Sequence, residues 1–163
     1  MNCYYLEKYQ EGIEFSDLYI SKTKKDASKG YMFYIKANLL EKLEKFDLAL
    51  ETYLKSFELN GDLKLNSDSI SYSAVLINAF ELSIYTNNLK QASEIINNVI
   101  IKNNNNLYKI FSSIIKKKKG DSANLIIDFN YNKKNSDDWY NLRLTTNYLH
   151  LLYLNKEFEK LIE

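Results

Sequence analysis

The sequence predicts an all-α protein, an array of antiparallel helical hairpins with about eight or nine helices. Three observations carry this reading. Apolar residues recur at spacings of three and four along nearly the whole chain, the signature of helices that bury one face. No strictly alternating stretch is long enough to compete as a strand. Finally, 163 residues contain only 4 glycines and no proline, too few for the turns of an all-β sandwich.

In chain order, residues 3–10 and 14–23 are expected as two helices broken near Gly12. A third runs from about Lys25 to Leu43, with Tyr31, Tyr34, Ile35, Asn38 and Leu39 on one side. Phe46, Ala49, Leu50, Tyr53, Leu54 and Phe57 stripe the next, which Gly61 is placed to stop. Ser67, Asp68 and Ser69 offer caps for a helix over 69–86 that is apolar nearly all round, from Ile70 through Phe80 to Tyr85. A helix without a wide polar face is expected to be buried on two sides, hence central.

Asn87-Asn88 turns the chain into a stripe of Leu89, Ala92, Ile95, Ile96, Val99 and Ile100. A polar loop, Asn103–Asn106, leads to Leu107, Ile110, Phe111, Ile114 and Ile115. Gly120 ends that helix, and Asp121 or Ser122 caps a short one through Phe129. Asp137-Asp138 then puts negative charge at the start of a helix bearing Trp139, Leu142, Tyr148, Leu149, Leu151 and Leu152.

Composition narrows the function classes. The net charge is +1, without the basic excess of a stand-alone nucleic-acid binder. No apolar run reaches the roughly 18 residues of a membrane span. Cys3 is the only cysteine, which excludes an internal disulfide or a multi-cysteine zinc site. No leader opens the chain, so a cytoplasmic setting is expected, or a periplasmic one if a leader was removed from a longer chain. The 20 asparagines, 21 lysines and 16 isoleucines against one arginine reflect AT-rich codons and a low-GC genome. Apolar Cys3-Tyr4-Tyr5-Leu6 at one end and Phe158 to Glu163 at the other lead us to expect a single repeat domain that is a fragment of a longer protein.

Three segments follow short polar turns: Phe46-x-x-Ala49-x-x-x-Tyr53, Leu89-x-x-Ala92-x-x-x-Ile96 and Ser122-x-x-Leu125-x-x-x-Phe129. Phe158-x-x-Leu161 begins a fourth. The steps from 49 to 92 to 125 to 161 are 43, 33 and 36 residues. The pattern resembles the tetratricopeptide repeat family, whose repeat is about 34 residues. Phe33 to Asn60 is the best single segment, with Phe33 in the tryptophan position, Ala37 in the small position and Leu40 in the tyrosine position. Lys36 departs where a leucine is usual, and Gly61 stands in for the terminal proline. Ser122 sits where an aromatic is expected, and Arg143 replaces a small residue. The irregular steps resemble those of bacterial regulators and sensor kinases with repeat domains.

The resemblance implies a non-catalytic module that binds a protein or peptide, often through polar side chains of each pair's first helix. Two other functions are weighed beside it: the sensory part of a bacterial signalling protein separated from its output domain, and a structural spacer or dimerisation element. Arg143, Thr146, Asn147 and His150 share one helix face and include the only Arg and the only His. An Asn can clamp a peptide backbone and an Arg can grip a carboxylate. The competing reading is a solvated face opposite Trp139, Leu142, Tyr148 and Leu149. Tyr31, Tyr34 and Asn38, ending at Glu41, form a second stripe suited to an interface, against simple packing on the preceding hairpin. Asn78 and Glu81 break the apolar helix 69–86 and are candidates to point into a ligand groove, against the reading that they are ordinary solvent-side residues. The run Lys116–Lys119 is read as a solvated helix end. No enzyme is expected, because a nucleophile pair would need Cys3 and His150 from opposite ends of the chain. No cofactor or metal is expected either. The segment itself is not expected to bind nucleic acid or membrane, and a homo-oligomer stays open.

Overall fold

The computed structural model describes residues 8–60, 72–98, 105–121 and 138–155, and all secondary structure among them is helical. Seven helices are seen: α1 (Tyr9–Lys22), α2 (Asp26–Lys42), α3 (Phe46–Asn60), α4 (Tyr72–Tyr85), α5 (Leu89–Ile96), α6 (Asn105–Lys118) and α7 (Asp138–Asn155). The expected short helix through Phe129, the start of the 69–86 helix, and the segment from Phe158 lie outside the described residues. The chain divides into two compact units, Met1–Asn87 and Asn88–Glu163.

In the first unit each helix packs on its neighbour in sequence: α1 on α2, α2 on α3, α3 on α4. Three residues join α1 to α2 and three join α2 to α3, and helices joined this tightly run antiparallel. Helix α1 corrects the expected break near Gly12. The helix passes straight through it, with the Gly12 N–H donating to the Lys8 carbonyl at 3.0 Å. A glycine inside a helix costs about 1 kcal/mol against alanine, but Gly12 sits on the buried side with Ile13 and Ser16. Local propensity is overridden there by packing. Lys36 reaches back from α2 to pair with Asp17 of α1.

The α2–α3 turn is built by hydrogen bonding. The Lys45 N–H donates to Leu40 O at 3.0 Å and the Glu44 N–H to Glu41 O at 3.0 Å, closing the last carbonyls of α2. This puts Glu44 in the left-handed region at φ 57. The same pair of bonds ends α6, from Asp121 to Lys116 O and from Gly120 to Lys117 O, with Gly120 at φ 85. Asn87, after α4, is left-handed too, at φ 57. Relieving the side-chain clash at Glu44 with Glu44→Gly should raise stability by up to about 1 kcal/mol, net of the looser unfolded chain. Gly120→Ala should lower it by about 1 kcal/mol. A Cβ at Gly120 would meet nothing within 4 Å, so the backbone conformation alone decides. Denaturant midpoints check both.

The core of the first unit lies between α2, α3 and α4. Ala37, Leu39 and Leu40 of α2 and Ala49, Leu50 and Tyr53 of α3 are buried. In α4, all of 74–80 and 82–84 are buried, the longest such run among the described residues. This matches the two-sided burial expected of a helix apolar all round. In the second unit α5 packs on α6 and α6 on α7. Asn88 caps α5, its side chain accepting from the Gln91 N–H at 3.1 Å. Ala92, Ile95, Ile96, Ile110, Phe111, Ile114, Ile115, Leu151 and Leu152 make that core. Helix α5 ends at Ile96, so Val99 and Ile100 of its expected stripe fall outside the described residues.

Candidate functional site

Spacings of four and three put Tyr34, Asn38 and Glu41 on one side of α2. The structure joins them into a polar cluster with one residue from each of two other helices. The Tyr53 hydroxyl of α3 reaches Glu41 Oε2 at 2.9 Å and Asn38 Oδ1 at 3.0 Å. One phenol has one proton, so it serves these two acceptors alternately. The Asn38 amide nitrogen is turned back onto the Tyr34 carbonyl at 2.8 Å, which leaves its oxygen facing Tyr53. From α4, the Asn78 amide donates to the Tyr34 hydroxyl at 3.4 Å. The rings of Tyr34 and Tyr53 lie 5.9 Å apart and tilted, a favourable aromatic pairing.

Burial grades this cluster from inside to outside. Tyr53 is fully buried and Asn78 nearly so, Tyr34 and Asn38 are half-buried, and Glu41 is exposed. Burial above all, then the Glu41 charge, pushes the Tyr53 phenol far above the usual tyrosine range, so it stays a hydrogen-bond donor at any working pH. Glu41 lies in the last turn of α2, where the helix dipole disfavours a carboxylate. The Tyr53 proton offsets that placement. Tyr31, by contrast, stays 42% exposed, and Glu81 is half-buried one turn after Asn78.

Periodicity alone places Tyr53 on an apolar stripe and assigns no role to its hydroxyl. A signal was present: a tyrosine rather than a phenylalanine on the buried stripe needs a partner for its O–H. Asn38 and Glu41, three apart on the preceding helix, are the partners within reach.

The second predicted stripe sits on α7, in the other unit. Its members differ in environment. Asn147 is buried and donates its side-chain amide to the Arg143 carbonyl at 2.9 Å. Arg143 and His150 are half-buried, and Thr146 is exposed. Neither a uniform solvated face nor the assignment of its opposite side holds. Leu149, placed there with the buried residues, is 41% exposed, and Tyr153 is 62% exposed. The buried side of α7 carries Asn147, Leu151 and Leu152. Side chains of Trp139 and Leu142 lie outside the described residues.

His150 meets α6 through charge. Burial first, and the Lys118 ammonium second, hold its pKa below the ordinary histidine value. Its gain of positive charge is therefore displaced below the pH of about 6.5 at which an unperturbed histidine titrates. The unfolded chain takes up this proton more readily, so the neutral His150 contributes fully above about pH 6.5, and its contribution is lost as the pH falls below that value and through the lowered folded-state pKa. His150 is the only histidine. Wild type should lose denaturant midpoint between about pH 7 and 5, and His150→Gln should lose less over the same range. Equal losses would show that other groups carry the dependence.

The lysine run ends α6 as expected of cations at a helix C-terminus, with Lys116, Lys118 and Lys119 exposed. Cys3 lies outside the described residues. Among the described residues no group of three or more His, Cys, Asp or Glu side chains is placed to hold a metal ion, and no helix is long and apolar enough to cross a membrane. No family model matches the chain, and no curated protein or solved structure matches it either.

Proposed function

We propose that the chain is a tetratricopeptide-like repeat module that holds a protein or peptide segment and performs no chemistry. The observation that carries this reading is the Asn78–Tyr34 contact. In the hairpin scheme α2 and α4 are first helices of consecutive pairs, and polar side chains of first helices are where such a module grips its ligand. The cluster Tyr34, Asn38, Glu41 and Asn78 spans both helices, with Tyr53 as its buried support.

The turns add support for the repeat. Left-handed residues occur at 44, 87 and 120, in steps of 43 and 33 residues. Five residues after the first two come Ala49 and Ala92, both with 0% exposure. The small residue after the first of these turns lets α2 and α3 pack close. The ligand surface is preorganised by that packing, which reduces the ordering cost of binding.

Fluorescence anisotropy against a library of extended peptides, with free and blocked ends, tests the proposal. A subset should bind the wild type. Asn38→Ala with Asn78→Ala should weaken it by about tenfold or more, the scale of two lost hydrogen bonds, with helical content retained. Arg143→Ala with His150→Ala tests the α7 stripe in the same way. No binding by any peptide, or affinity unchanged in both double variants, would retire the reading.

A further inference from the structure

Helix α1 packs on α2 with Gly12, Ile13 and Ser16 buried, but its far side is open to solvent and carries two large apolar side chains among polar ones. Phe15 is 65% exposed and Leu18 is 49% exposed. Exposed apolar side chains are ordinary on a protein surface and do not by themselves make a site. The charges at either end of this pair assign the occupant. The stripe reads Glu11, Phe15, Leu18, Lys22, and all four are exposed. At 3.6 residues per turn these positions lie within about 60° of one another.

Their spacing of four, three and four is symmetric about the point between Ser16 and Asp17. Reversed, the stripe is its own complement: the acidic end meets the basic end and phenylalanine meets leucine. A two-fold axis performs that reversal and makes an isologous contact.

We propose that α1 is a self-association surface, on which a second copy of this chain lays its own α1 antiparallel. Phe15 packs on the partner's Leu18, and Glu11 pairs with the partner's Lys22. The axis repeats both contacts, so the interface holds two apolar contacts and two ion pairs. A partner carrying one sign of charge would meet repulsion at one end of the stripe, whereas a copy of the same helix meets attraction at both. Glu11 is already near Lys8, 3.3 Å away, but both are exposed, and such a pair is too weak to withhold the carboxylate. The helix is 14 residues long, or about 21 Å. Its stripe is smaller than the roughly 800 Å² per partner of a stable interface, so the dimer is weak and forms with rising concentration.

Sedimentation equilibrium of the whole chain over a range of concentrations provides the test. Wild type should show a monomer–dimer equilibrium. Glu11→Lys and Lys22→Glu each set like charges opposite one another, twice per dimer, and should weaken association by about fivefold or more. The double variant Glu11→Lys/Lys22→Glu should recover it. An equimolar mixture of the two single variants should associate more strongly than either alone, because Lys at 11 and Lys at 22 of one chain then face Glu in the other. Phe15→Ser with Leu18→Ser should leave monomer only. Circular dichroism confirms that these exposed changes leave the helices in place. A wild-type chain that stays monomeric overturns the proposal, whether the stripe is then left to solvent or covered by residues 1–7. Association that both single variants leave unchanged, or that the double variant fails to recover, overturns it as well.

Discussion

Phe80→Ala should lower the unfolding free energy by about 3–5 kcal/mol, the range for truncating a large side chain in a packed core. Phe80 has 0% exposure, and its neighbours along α4, from Ala74 to Ala79, are buried with it. Helix α4 also packs on α3, so the cavity would open inside the first unit's core. Few of the surrounding atoms can relax into it, because rigid β-branched Ile77 and Ile84, both buried, lie about one turn away on either side. A denaturant titration followed by circular dichroism measures the loss. Tyr153→Ala, at a side chain 62% exposed, should shift the midpoint far less, by about 0.5 kcal/mol at most. If Phe80→Ala behaves like Tyr153→Ala, the burial of α4 is wrong.

Ala49→Leu and Ala92→Leu should each cost about 1–3 kcal/mol through overpacking. Both alanines are fully buried, at the same distance after a left-handed turn residue. A leucine at either point adds three carbons where no space exists, and the atoms around it must move away. The two sites belong to different compact units, so their costs should add to within about 0.5 kcal/mol. The comparison bears directly on the repeat. Equal penalties are expected if 49 and 92 are equivalent positions, and a neutral Ala92→Leu would break the equivalence.

Much of the helical layout was legible in the chain itself. The stripe from Phe46 to Phe57 became α3, and the helix placed from about Lys25 to Leu43 became α2 at Asp26–Lys42. The polar turns before Phe46 and Leu89 are where the chain reverses handedness, at Glu44 and Asn87. These features depend on residues a few positions apart, so period and turn chemistry report them. Gly12 shows the limit. Its local cost in a helix is small enough for burial against α2 to outweigh it, and α1 continues.

The site was legible only as a list of polar residues on helix faces. Tyr34, Asn38 and Asn78 were named, yet their convergence was not, because it requires α2, α3 and α4 to dock in one particular register. Tyr53 belonged to the apolar stripe until docking put its hydroxyl between Asn38 and Glu41. Asn147 and Leu149 exchanged roles on α7 for the same kind of reason. Periodicity defines a helix's faces, but its buried face is set by the neighbour it packs on, and buried Asn147 can satisfy its amide on its own helix at Arg143. Sequence by itself therefore determined which segments are helical and where they turn, since those energies are local. Tertiary structure decided which polar groups are brought together and desolvated, since that depends on packing between helices far apart in the chain.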